Sequence, residues 1–235
     1  MPNKKTVRRA VVVPTFNEPD TWLITCKGLM ADFDLIVVVD DGSQVPIADP
    51  LVEGLVLLRH DRNLGKGVAL QTGFHFCLAK GADWIATIDS DGEHDPRNFK
   101  DALKASEACD LVTLSRHQFF KNYAAVRRFR NVLLSRFLLR KFGCHLQDTQ
   151  SGMRLFSARA IRCCLREGMP NGYAVETAML KAVQAQGWDV LEIPMTFEGR
   201  IRYGKKYSGL WNCVADIMTF GRLVFCRHSR KCRPN

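Results

Sequence analysis

Residues 84–96, WIATIDSDGEHDP, begin as an apolar run and end in a cluster of acids. Carboxylates fall at Asp89, Asp91 and Glu93, on every second residue. A short apolar run that stops at Asp and Gly reads as a strand followed by a turn. The same pattern appears twice upstream. The run 10–15 exits through PTFNE at 14–18, and the run 35–40 exits through DDGS at 40–43. Further short runs lie at 55–59, 110–114 and 190–197, and segments of helical character at 20–30, 65–80, 96–108 and 174–186 separate most of them. Such alternation predicts an α/β fold with a mainly parallel central sheet flanked by helices. Sheets of that kind bind ligands in the crevice at the carboxyl ends of their strands. Three strand exits loaded with acids and turn formers therefore mark a ligand site.

The chain has 235 residues, enough for one sizeable core and a small extension. A 46% hydrophobic and 25% charged composition belongs to a folded globular protein. The formal net charge of +10 suits an acidic partner: nucleic acid, an anionic membrane surface or a phosphate-bearing substrate. Nucleic acid is disfavoured, because no RRM, KH, helix-turn-helix or aromatic stacking array is present. Nine cysteines include no CxxC pair and no zinc-like Cys/His spacing, which points to core thiols in a reducing compartment. The basic N-terminus leads into an apolar run, 10–13, too short for a signal peptide, so the expectation is a cytoplasmic protein. Residues 209–226 are apolar but interrupted by Asp216 and Arg222, a poor transmembrane span. They read as a helix packed on the protein or lying on a membrane. Residues 116–140 mix arginines with Phe and Leu without one clean apolar stripe, as in a buried helix or one facing both protein and lipid.

No GxxxxGK[ST], GxGxxG or nucleophile elbow occurs. NLGKG, at 63–67, is loosely like a phosphate loop and equally like a helix start after a turn. In an extended chain alternate side chains share a face, so Asp89, Asp91 and Glu93 are expected to converge on one point. All-oxygen ligands suit a hard cation, Mg²⁺ or Mn²⁺. Mg²⁺ is usually held by one or two carboxylates plus substrate phosphates. A nucleoside-diphosphate sugar would supply those phosphates.

In order along the chain, VVVPTFNE, IVVVDDGS, NLGKGVALQTGF, IDSDGEHDP, Ser115–Arg116, DTQSGMRLF, ETAML and RIRYGKK resemble family 2 glycosyltransferases of the GT-A fold. The dolichol-phosphate mannose synthase-like branch is the nearest likeness, over about residues 11–206. The resemblance implies a GT-A domain at 1–208, followed by an amphipathic helix and basic tail at 209–235. It puts Pro14, Phe16, Glu18, Val38, Asp40, Ile88, Asp89 and Ser90 around the nucleotide sugar. Asp89, Asp91 and Glu93 would serve the metal, though Glu93 stands where the branch often has Gln. Arg116, Arg127, Arg200 and Lys206 would hold the acceptor phosphate. Asp148 would lie close to the reacting sugar, with Asp91, as a catalytic acid; a turn carboxylate is the alternative for Asp148. Glu176 is either a further pocket acid or a solvated first-turn residue. The basic segment departs from the branch's R-x-x-G-x-S-K, since Gly204 is shifted and Lys205 replaces Ser. The implied reaction is metal-dependent, inverting transfer of mannose or glucose from a GDP- or UDP-sugar to a polyprenyl phosphate at the cytoplasmic face of a membrane. Transfer to a hydroxyl acceptor, and non-catalytic sugar-nucleotide binding, are the alternatives.

Overall fold

The structure is a computed structural model that describes residues 8–18, 21–48, 52–122, 132, 135–136, 145–172 and 174–199. Arg127, Arg200, Lys206, the proposed boundary at 208/209 and the tail 209–235 lie outside the described residues.

Seven strands form one sheet: β1 (Arg9–Thr15), β2 (Leu35–Asp40), β3 (Leu55–Arg59), β4 (Trp84–Thr87), β5 (Leu111–Ser115), β6 (Arg154–Ser157) and β7 (Val190–Pro194). Their order is β3-β2-β1-β4-β6-β5-β7. Helices α1 (Thr21–Leu29), α2 (Lys66–Ala79), α3 (Phe99–Ala105), α4 (Ala158–Glu167) and α5 (Val175–Ala185) lie among the described residues. β1 and β2 are apolar nearly throughout because helices cover both faces of the sheet. Alternation then sends Ala10, Val12, Val37 and Val39 to one layer and Val11, Val13, Ile36 and Val38 to the other. The first layer packs on Phe74 and Cys77 of α2, Cys163 and Cys164 of α4, and Met179 of α5. The second packs on Trp22 and Cys26 of α1 and Phe99 of α3. Each fully buried Val, Ile, Phe or Met among them stabilises the fold by about 1.5–3 kcal/mol. The cysteines of α1, α2 and α4 are thus core residues, and burial pushes the Cys26, Cys77 and Cys164 thiols up to about 12.

The strand that sequence patterning does not reveal is β6. It runs antiparallel between β4 and β5, while every other pairing in the sheet is parallel. Its reversal has a positional consequence. Arg154, the first residue of β6, pairs with Thr87, the last of β4. The chain entering β6 therefore arrives at the edge where β4 leaves the sheet. Among the described residues, no helix is long and apolar enough to cross a membrane.

Candidate active site

Parallel pairing brings the strand exits to one edge. Thr15 pairs with Asp40 and Val12 with Thr87, so residues 14–18, 40–43 and 88–91 share the carboxyl end of the sheet. The exits are tied together by Asn17, which sits at φ 54 in the left-handed region that Asn tolerates. Its N–H donates to Ser43 Oγ at 2.8 Å, and its Oδ1 accepts from Gln44 N at 2.9 Å. Phe16 and Glu18 are half-buried beside it, and Glu18 Oε2 accepts from Thr21 Oγ1 at 3.2 Å. Pro14 is buried within β1.

The two acids of DDGS do different things. Asp40 accepts from Ser43 N at 2.9 Å and from the Arg59 guanidinium, and its carboxylate is wholly buried. Asp41 accepts from Leu64 N at 2.9 Å, Gly65 N at 2.8 Å and His60 Nδ1 at 2.7 Å, which anchors the NLGKG loop to the strand exit. Asp40 thus faces its own turn and not an open pocket. Val38 also differs from expectation. It lies two residues inside β2 with its side chain fully buried in the core, because it belongs to the inward-facing set of the strand.

β4 ends at Thr87, earlier than the apolar run suggests, and residues 90–93 turn, with Gly92 at φ 78. Asp91 Oδ1 accepts from Glu93 N at 3.0 Å, an Asx-type turn that breaks the extended alternation. Asp89 and Glu93 thus pair with different cations, while the charges of both still act on Asp91. Among the described residues, no three His, Cys, Asp or Glu side chains form a group able to hold a metal ion. Asp89 turns to Lys66, whose Nζ lies 2.6 Å from Asp89 Oδ1 and 2.6 Å from Glu176 Oε1. Glu93 turns to Arg116, with Nη1 3.5 Å from its Oε2. Ile88 and Ser90 are buried on either side of Asp89.

Charge follows this layout. Burial raises the Asp89 carboxyl, but Lys66, then His94 and Arg116, bring it down to about 2. Burial works against the Lys66 ammonium, yet Asp89 and Glu176 outweigh it and keep Lys66 charged. Asp91 is pushed up to about 7 by burial and by the charges of Asp89 and Glu93. Negative charge is thus in surplus at Asp91. Glu176 is 4% exposed, which overturns the solvated alternative for this acid.

Asp148 reaches the site through the reversed strand. It accepts from Arg116 three times: Nε to Oδ2 at 2.8 Å, Nη2 to Oδ1 at 3.1 Å, and the backbone N–H to Oδ2 at 3.1 Å. Both groups are buried, and the fork of the guanidinium fixes both orientations. Burial raises the Asp148 carboxyl, but Arg116 more than offsets this and holds it below the usual carboxylate range. Glu192 of β7 fixes the loop from beneath, accepting from Gln147 N at 2.8 Å and Asp148 N at 2.8 Å. Arg154 of β6 donates to the carbonyls of Thr149, Ser151 and Glu176 at 2.7–2.9 Å, joining that loop to α5. Thr87 Oγ1 donates to Gly152 O at 2.8 Å, and a Cβ on Gly152 would collide with the Asp89 carboxylate. Lys66, Glu192, Arg154 and His94 are site residues that sequence reasoning does not single out. Lys66 shows only as the charge in NLGKG, and Arg154 only as part of DTQSGMRLF.

The sequence model for Glycosyl transferase family 2 matches residues 10–165, which hold every strand exit described above and Asp148. The chain belongs to this family. It is therefore a glycosyltransferase. An uncharacterised protein of Methanocaldococcus jannaschii is 32% identical over 192 residues, 79% of this chain and 79% of its own length. The undecaprenyl-phosphate mannosyltransferase of Micrococcus luteus is 28% identical over 232 residues, covering 92% of this chain and 94% of its own. Glucosyl-3-phosphoglycerate synthase of Mycobacterium tuberculosis, solved with Mn²⁺, UDP and glucosyl-3-phosphoglycerate, superposes with a TM-score of 0.70 at 21% identity, over 96% of this chain and 83% of that one. This family 2 glycosyltransferase accordingly has the GT-A fold.

Proposed function

We propose that this glycosyltransferase moves a hexose, mannose or glucose, from a GDP- or UDP-sugar to the phosphate of a polyprenyl carrier, with inversion. A phosphate oxygen of the acceptor forms the bond to the anomeric carbon. The bond from that carbon to the donor's β-phosphate oxygen breaks, and its electron pair leaves with the nucleoside diphosphate. No proton has to move, since a phosphate dianion is already nucleophilic.

The observation that carries this reading is the buried Arg116–Asp148 pair. Transfer to a hydroxyl would need a general base, and Asp148, depressed by Arg116, is a weak one. Its pairing suits it instead to hold Arg116 in one orientation, as a positioned cation for the acceptor phosphate. Arg127, Arg200 and Lys206 are proposed as further phosphate-binding cations from sequence. The undecaprenyl-phosphate mannosyltransferase of similar length supports a polyprenyl acceptor.

Asp89 and Asp91 fit a divalent cation. They provide hard oxygens, the charges of Asp89 and Glu93 crowd Asp91, and two carboxylates plus a diphosphate make an ordinary Mg²⁺ or Mn²⁺ set. When bound, the ion offsets charge on the departing diphosphate. Phe16, Glu18 and Ser90 are proposed to line the donor pocket around these acids, with Pro14 and the core residue Ile88 supporting them from behind. Glu93 acts on Arg116 and not as a ligand. Lys66 contributes a second fixed positive charge beside the diphosphate position.

Net charge of +10, with Arg8 and Arg9 exposed at the start of β1, supports docking on an anionic cytoplasmic membrane face at about 1 kcal/mol per basic residue. The deciding experiment incubates the protein with radiolabelled GDP-mannose or UDP-glucose, Mg²⁺ or Mn²⁺, and either polyprenyl phosphate or polyprenol. Label should enter the organic phase with the phosphate alone. Equal labelling of polyprenol, or label confined to water, would overturn the proposal.

A further inference from the structure

His94 is 2% exposed, and among the described residues neither Nδ1 nor Nε2 has a hydrogen-bond partner. A buried polar atom left without a partner is destabilising, so two on one ring call for an explanation. The ring's neighbours sharpen the problem. Asp89, Glu93, Asp148 and Arg116 all act on it electrostatically, yet no carboxylate accepts from it. Nor is its backbone loose. His94 forms an antiparallel bridge with Glu198, and four residues on Asn98 fastens the same stretch. Asn98 Oδ1 accepts from Thr196 N at 2.8 Å and Phe197 N at 3.0 Å, and Nδ2 donates to Phe197 O at 2.8 Å. The imidazole is thus held in place with its hydrogen-bonding capacity unspent.

Its location indicates what would use that capacity. Its charged neighbours belong to both halves of the proposed site: Asp89, which is ion-paired with Lys66 where the proposed reaction has the diphosphate, and Arg116 with Asp148, where it has the acceptor phosphate. A sugar in transit between the two phosphates must occupy the space between these clusters, and hexose hydroxyls both donate and accept. A neutral imidazole offers one donor and one acceptor, which matches them.

We propose that His94 is a donor-specificity residue whose ring nitrogens bind the hydroxyls of the transferred hexose. The inference rests on the reaction proposed above and names the part of the donor that this residue reads. It predicts a difference between two ligands that share a nucleotide. Removing the ring should weaken the nucleoside-diphosphate sugar and leave the bare nucleoside diphosphate unaffected.

The test is calorimetric titration of wild type, His94→Leu and His94→Gln with the sugar nucleotide that wild type transfers and with its nucleoside diphosphate, in Mn²⁺. In His94→Leu the sugar nucleotide should bind about five- to tenfold more weakly, the worth of one or two neutral hydrogen bonds, while the diphosphate changes by less than about twofold. His94→Gln, which keeps a donor and an acceptor, should recover part of the loss. The thermal midpoint of His94→Leu should equal or exceed that of wild type, because an apolar group replaces atoms buried without partners. Equal weakening of both ligands would assign the ring to the diphosphate and overturn the proposal. Unchanged binding of both, or a lowered midpoint with unchanged binding, would assign it a structural role and do the same. Wild type that transfers sugar normally while the variant keeps its preference sinks this inference alone. Wild type that binds no sugar nucleotide sinks the functional reading with it.

Discussion

Individual side chains here are constrained by neighbours that are far away in sequence. Gly152 shows this most sharply, because the space a methyl group would fill is taken by the Asp89 carboxylate. Gly152→Ala should displace Asp89, lower stability by about 1–3 kcal/mol in urea denaturation, and reduce transfer more than it reduces folding. Asp148 makes a second case. Asp148→Asn removes the bidentate partner of the buried Arg116 charge, leaving Glu93 at 3.5 Å as its neighbouring carboxylate, and should cost about 3 kcal/mol. The folded-state pKa of Asp148 lies below its unfolded value, so the pair's contribution is present above the unfolded pKa and is lost as pH falls through the folded one. The stability gap between wild type and Asp148→Asn, followed by urea midpoint, should stay constant from pH 8 to about 5 and close below about pH 4. At this scale the sequence displays the acids but not what they face. Asp89, Asp91 and Glu93 are evident as a cluster. That one turns to Lys66 and another to Arg116 depends on a turn at Gly92 and on partners brought in by other elements, which no local spacing encodes.

Among the elements, those with a long and regular apolar pattern are legible: β1, β2, α2 and α5 follow their runs closely. β6 is not. Four residues beginning with a buried Arg have neither the length nor the alternation of a strand, and only pairing on both sides makes RLFS one. α4 escapes notice for a similar reason, its arginines masking a narrow buried face of Ala160, Ile161, Cys163 and Cys164. One element-scale prediction concerns the stretch after β7. Asn98, at the start of α3, holds Thr196 and Phe197 through the three bonds described above, and Arg97 stacks 4.1 Å over the Phe197 ring. Asn98→Ala should cost about 2 kcal/mol and speed amide exchange at Thr196 and Phe197, measured by hydrogen-exchange mass spectrometry. Unchanged protection there would show that the His94–Glu198 bridge suffices to hold the stretch.

For the molecule as a whole, the α/β architecture and the placing of the site at one sheet edge can be read in advance, because parallel strands with acidic exits leave few alternatives. The reversed strand cannot, and it is what carries Asp148 to that edge. A last consequence comes from Lys66, whose ammonium sits between Asp89 and Glu176. The enzyme carries a built-in counter-ion for Asp89, one of the two acids proposed to take the metal, so that this buried carboxylate stays paired in a chelating buffer. EDTA should abolish sugar transfer while moving the melting temperature by less than about 2 °C, under about 1 kcal/mol. A drop of many degrees would mean that folding and catalysis draw on the same bound ion.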